Sequence, residues 1–203
     1  MKAILSHRKP LLLVYYLSGV SGLIYQIVWL RLLAEIFGNS TYALSTILAA
    51  FMAGLALGSW QGGTRISKIS RVIQLYIRLE IGIAVSAALV TILFVNYSGW
   101  YAPIYSQLQH NLSLLTIIQF IVCFLLVFIP TTLMGATVPT MAHIIITRIQ
   151  NIGHDFSVMY ALNTLGGMTG VVLTSFLLLE HFGLYNTVGI AVSINLLIGL
   201  AVL

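Results

Sequence analysis

Long uncharged apolar runs, separated by short stretches that hold the charges, make up most of this chain. A helix needs about twenty apolar residues to cross the hydrocarbon of a bilayer. In order, the runs predict six spans, at about residues 10–30, 42–62, 77–96, from 112 onward, 157–179 and 185–203. They lack the alternation of a transmembrane barrel strand. The stretch 41–63, TYALSTILAAFMAGLALGSWQGG, carries a small residue at every fourth place: Thr46, Ala50, Gly54, Gly58 and Gly62. On a helix this spacing draws a nearly straight groove. Such grooves let backbones approach closely where lipid offers no hydrophobic drive for association. Spans two and five, both glycine-rich, are expected to pack centrally.

The fourth run does not fit a plain span. From Leu112 to Thr147 it holds no Asp, Glu, Lys or Arg, and one helix of that length would measure roughly 54 Å at 1.5 Å per residue. Pro130 and Pro139 bracket Thr131, Thr132, Gly135 and Thr137, which predicts a break there. One reading is a broken helix of the kind that marks a transporter's binding site. The other is a simple helix end followed by an interfacial helix over about 140–150. Residues 97–111 read as a polar, Tyr-rich loop.

Composition agrees with the pattern. Apolar residues make up 60% of the chain and charged residues 6%, with a mean hydropathy of +1.05; an ordinary soluble domain is about a quarter charged. The basic start and apolar core of 1–22 resemble a signal peptide. The run continues past Gly22 without a convincing cleavage site, which favours an uncleaved first span. The single cysteine, Cys123, lies inside an apolar run and reads as a small core residue. The formal charge of +5 raises nucleic acid as a partner, but its distribution argues against that. Lys2, Arg8 and Lys9 precede span one, Arg65, Lys68 and Arg71 follow span two, and Arg148 follows span four. This is the excess expected of cytoplasmic loops, so both termini are expected in the cytoplasm, where the cations can touch anionic lipid head groups. Three N-x-S/T patterns, at Asn39, Asn96 and Asn111, hug the opposite side and carry little weight for glycosylation.

An internal repeat is visible. Residues 42–46 read YALST and 160–164 read YALNT, each opening a glycine-rich span that is second in its triplet. The later copy has its own packing pattern in Gly166, Gly170 and Thr174, with Gly167 beside it. Two three-span units joined this way must be inverted with respect to each other, as in many transporters. Repeat one covers about 10–97 and repeat two about 112–203.

Four stretches carry a resemblance: 17–63, IRLEIGI at 77–83, IPTTLMGATVPTMA at 129–142, and MYALNTLGGMTGVVLTSFLLLEHFGL at 159–184. Together they resemble the membrane region of the spermidine-synthase-like membrane proteins, a major-facilitator-like part fused to an aminopropyltransferase-like domain. The resemblance implies a six-helix, half-major-facilitator-like fold, a bacterial inner membrane and a link to polyamine chemistry. It also implies a soluble Rossmann-like domain that this sequence lacks. Only Glu35, Glu80, Asp155 and Glu180 are acidic, and the glycines lie in spans rather than in a nucleotide-binding strand–turn–helix unit. The loop 62–71 resembles the basic loop of major-facilitator halves without its aspartate, so no gating role follows.

The candidate substrate-binding residues are Glu80, Tyr25, Gln26, Thr131, Thr132 and Asn163. Glu80 lies about one turn inside span three, where a carboxylate is costly unless paired, hydrated or protonated. It matches the acidic position of the family pattern and could bind an amine or a proton; the alternative is a helix-end residue reaching water beside Arg78. Tyr25 and Gln26 line a cavity or, as the leading reading, bond between helices. Asn163, beside Gly166 and Gly167, serves as packing glue or as a ligand group. Arg31 and Glu35 can pair four apart, and with Trp29 they read as an interfacial anchor. His143 and His154 lack metal-ligand spacing, and no catalytic constellation appears.

The expectation is therefore an all-α integral membrane protein: a six-span bundle of two inverted three-helix repeats, forming a single domain over 1–203. It is expected to be a non-enzymatic, transporter-like module that moves or presents a small amine-type solute, without cofactor or metal. A second copy or another transporter-like half would enclose a path. The alternative is a membrane anchor or partner subunit for a separate aminopropyltransferase-like enzyme. Helix packing is assigned to Ala50, Gly54, Gly58, Gly62, Gly166 and Gly170.

Overall fold

The computed structural model describes residues 2–108, 110–146 and 151–202. Among them it is helical throughout apart from short connections: α1 (Lys2–Phe37), α2 (Ser40–Arg65), α3 (Val72–Val95), α4 (Tyr97–Leu108), α5 (Leu112–Ile145), α6 (Ile152–Leu173) and α7 (Leu179–Ala201). Five helical stretches are long and apolar enough to cross a membrane, the last running over 152–201. This last stretch is not straight. It widens into a π-helix over Thr174–Leu178 and departs from helical geometry at Gly183, with φ 69° and ψ −179°. Gly183 divides it where the sequence separates spans five and six.

The backbone at Gly183 lies in a region essentially closed to residues with a Cβ, although nothing stands within 4 Å of where a Cβ would be. Gly183→Ala is therefore expected to cost about 1–3 kcal/mol through backbone strain alone. Gly189→Ala, equally open but ordinarily helical, should be neutral or slightly stabilising because alanine is the better helix former. Thermal unfolding in detergent compares the two.

Two connections are capped by asparagines of the N-x-S/T patterns. Asn39 Oδ1 accepts from the Thr41 amide at 2.8 Å and Asn111 Oδ1 from the Leu114 amide at 3.1 Å, each satisfying an orphan donor of a first turn. Residues 97–108, expected as loop, form α4 instead. Tyr97, Tyr101 and Tyr105 stand one turn apart with ring centroids 6.2 and 5.9 Å from each other. The Trp100 indole donates to the Leu93 carbonyl of α3 at 2.9 Å. Aromatic spacing of three and four residues suits one helix face.

The break expected between Pro130 and Pro139 does not occur, and neither does a separate interfacial helix after it. α5 runs through both prolines; residues 147–150, with Arg148, lie outside the described residues. Pro139 has no N–H for the Gly135 carbonyl four residues back. Ser59 of α2 supplies the missing donor across the helix interface, its hydroxyl 3.0 Å from that oxygen. Within α5, Thr132 donates to Phe128 O, Thr137 to Met134 O and Thr140 to Ala136 O, each at 2.7 Å. These bonds give the threonine hydroxyls acceptors within the span, where an unpaired polar group is costly.

The most extensive contacts are between α2 and α5 and between α1 and α6; α3 packs on α5 and α7, and α1 also on α7. The α2–α5 approach is made by the predicted groove. A Cβ at Gly54 would strike the Thr131 side chain, one at Gly58 the Thr132 carbonyl oxygen, and one at Gly62 the Pro139 ring at 2.7 Å. Ala50 and Thr46 are buried in the same row. On the second interface, a Cβ at Gly166 or Gly170 would strike the Tyr16 or Val20 carbonyl oxygen of α1. Spans two and five are nonetheless not central. α1 touches α2, α3, α5, α6 and α7, whereas α2 exposes Leu44, Leu48, Met52 and Leu55 and α6 exposes Leu165, Met168 and Val172. A small-residue groove sets how near one neighbour comes, not how many neighbours surround the helix.

Candidate functional site

α3 buries one face, including Tyr76, Ile77, Glu80, Ile83, Ala84, Ala87 and Thr91, a spacing of three and four that keeps these side chains in line on a helix. Glu80 therefore points where its apolar neighbours point. It is 0% exposed. The reading of Glu80 as a helix-end residue in water beside Arg78 is corrected: Arg78 is exposed on another face.

Three helices meet at the Glu80 carboxylate. Ser18 of α1 donates to Oε1 at 2.8 Å, and the Asn195 side-chain amide of α7 donates to Oε2 at 2.6 Å. Asn195 Oδ1 in turn accepts from the Tyr25 hydroxyl of α1 at 3.0 Å. Tyr25 and Asn195 are 0% and 1% exposed. Among the described residues no Lys, Arg or His lies within 4 Å of the carboxylate, the one ion pair being His154–Asp155 at 3.3 Å. Glu80 is thus held by neutral donors, with no cation opposite it.

Two more phenols border the cluster. Tyr76, one turn before Glu80, lies beside its carboxylate but outside hydrogen-bond geometry, and Tyr15 lies beside Thr137 in the same condition. Both hydroxyls are buried and have no hydrogen-bond partner among the described residues. Orphaned buried hydroxyls are uncommon, since leaving one unmade costs about 1–3 kcal/mol. A carboxylate with spare lone pairs and two unpartnered phenols is chemically a set of acceptors for N–H groups, and the carboxylate is also a place for a proton.

The other predicted residues separate from this cluster. Thr131 is fully buried with its hydroxyl 2.9 Å from Val127 O, and the carbonyls of Phe128 and, across the interface, Ala50 stand at 3.1 and 3.3 Å. Thr131 and Thr132 belong to the α2–α5 contact. Asn163 packs its backbone and side chain over Gly19 of α1. Gln26 is half-buried. Trp29 is no interfacial anchor: it is 0% exposed, donates to Thr91 Oγ1 at 2.9 Å and stacks on Tyr25 with centroids 5.5 Å apart. Arg31 and Glu35 remain exposed at the end of α1 and form no ion pair within 4 Å with a described residue.

Sequence reasoning missed Ser18, Tyr15, Tyr76 and Asn195. The signal for Tyr76 was its place one turn before Glu80. Asn195 was the one amide in the apolar run 188–203, and an isolated amide in a span finds a partner on another helix. Among the described residues no group of three His, Cys, Asp or Glu could hold a metal ion, and Cys123 is buried in α5. Comparison with protein-family models, curated proteins and solved structures yields no match.

Proposed function

We propose that this chain is a transporter-like membrane module that binds a small amine-type solute at Glu80. The observation that carries this reading is the fully buried carboxylate, which has no cation beside it among the described residues and is bordered by two phenols without a hydrogen-bond partner among them. An intramembrane carboxylate is a functional group by default, because its burial is costly. An ammonium group supplies both the missing charge and the missing donors. In this reading the architecture is two inverted repeats, α1–α3 and α5–α7, in the half-major-facilitator manner. The packing supports it. Exchanging the repeats turns the α2–α5 pair into α6–α1 and the α3–α5 pair into α7–α1, and leaves α3–α7 as itself. These include the most extensive contacts in the bundle. The basic residues near the start of α1 and after α2 favour cytoplasmic termini, and the resemblance of the sequence implies a bacterial inner membrane.

Thermal unfolding of the detergent-purified protein tests the reading against polyamines, amino acids and nucleoside-containing amines. A ligand that binds only the folded state adds about 2.7 kcal/mol at a hundredfold excess over its dissociation constant. The expected result is stabilisation by an amine, lost in Glu80→Gln, with flux of that amine into liposomes. No shift across the panel would overturn it and favour the anchor for a separate aminopropyltransferase-like enzyme.

A further inference from the structure

We propose that the concave surface formed by the connection 68–71 after α2 and the first turns of α3 is a binding site for the phosphate group of an anionic phospholipid. A cavity of about 410 Å³ opens there. Lys68, Arg71 and Arg78 line it, and none of the chain's four acidic residues does. All three cations are exposed, and none forms an ion pair with a described residue. Three like charges around one hollow repel one another unless an anion joins them. Ser70 and Gln74 add polar groups to the same wall, which suits a phosphate with several acceptor oxygens.

The setting favours a lipid over a dissolved phosphate. α3 is long and apolar enough to span a membrane, so its first two turns stand near the boundary between hydrocarbon and head groups. Ile69 and Leu75 complete the lining, and Ile73 beside Gln74 is 49% exposed. Cations at the rim with aliphatic side chains next to them match the junction of a phosphate and its glycerol–acyl portion. Clusters of Lys and Arg beside the cytoplasmic end of a transmembrane helix attract anionic lipid head groups in this way. Nothing in this site depends on Glu80.

The test titrates the intact chain, in neutral detergent, with phosphatidylglycerol, phosphatidylcholine and inorganic phosphate. Thermal unfolding and native mass spectrometry of retained lipid are the readouts. Phosphatidylglycerol is expected to stabilise the protein and remain bound, and phosphatidylcholine is not. Each of Lys68→Gln, Arg71→Gln and Arg78→Gln should weaken retention roughly fivefold, and the triple variant on the order of a hundredfold. Arg71→Lys with Arg78→Lys should retain most of the effect, and Glu80→Gln all of it. Melting without lipid shows whether each variant is folded; if the triple variant is not, the single variants decide. Equal retention of the two lipids, or variants indistinguishable from the native protein, would overturn the proposal. Inorganic phosphate matching phosphatidylglycerol would also overturn it, assigning the hollow to a soluble phosphate compound.

Discussion

Gly58→Ala is expected to lower the stability of the bundle by about 3 kcal/mol or more, the upper range for overpacking a close interface. The added methyl group would meet the Thr132 carbonyl oxygen and, at 2.8 Å, the Ala136 amide nitrogen. Both are backbone atoms of α5, so no rotamer change relieves the overlap. The helices must separate, and α2–α5 is the most extensive interface in the molecule. Gly63→Ala supplies the control. It lies in α2, five residues on, with nothing within 4 Å of the added atom. There alanine should raise stability by up to about 1 kcal/mol through helix propensity alone. The opposite signs of the two substitutions are the result to look for in detergent thermal unfolding. Equal behaviour would mean that α2 and α5 do not approach along this groove.

The second large effect is the difference between two neutral replacements of Glu80. Glu80→Gln and Glu80→Leu both remove the carboxylate charge, so that contribution cancels between them. Gln keeps an acceptor for the Asn195 amide and turns an NH₂ toward Ser18, whose hydroxyl can accept as well as donate. Leu leaves the Asn195 amide and the Ser18 hydroxyl without their acceptor. At about 1–3 kcal/mol for each unsatisfied donor, Glu80→Leu should melt well below Glu80→Gln. Equal melting temperatures would show that the three-helix hydrogen-bond cluster contributes nothing to the fold. The same pair separates binding from folding, since the Gln variant should stay folded while losing the amine response.

Much of the architecture could be read from the sequence where the cause was local. The fourfold spacing of Thr46, Ala50, Gly54, Gly58 and Gly62 is enough to place a close helix contact, because every member lies on one face. Glu80 stands out as soon as span three is drawn, since a carboxylate one turn inside an apolar run needs an explanation. What could not be read depends on residues far apart in the chain. The prolines of α5 predicted a break because Pro139 strands the Gly135 carbonyl. The Ser59 hydroxyl that satisfies it is 76 positions away. Asn195 meets Glu80 across 115 positions and Tyr25 across 170, and no periodicity encodes that meeting. α4 is a different case, because its cause is local. The fourfold spacing of Tyr97, Tyr101 and Tyr105 is a helical signal that the polar composition of 97–111 masks.

The order of donors around Asn195 has an optical consequence. Its amide receives from Tyr25 and gives to Glu80, so neither bond can change without disturbing the other. Tyr25 is stacked on the Trp29 indole, with the rings 20° from parallel. A proton or solute arriving at the carboxylate thus alters the polar surroundings of a tryptophan that water does not reach. Of the three tryptophans, Trp60 is 67% exposed and Trp100 is half-exposed on α4, so Trp29 is the one buried beside this cluster. Trp29 is in effect a native fluorophore linked through Tyr25 and Asn195 to the acidic group, and its emission is expected to respond to the state of Glu80 without any label.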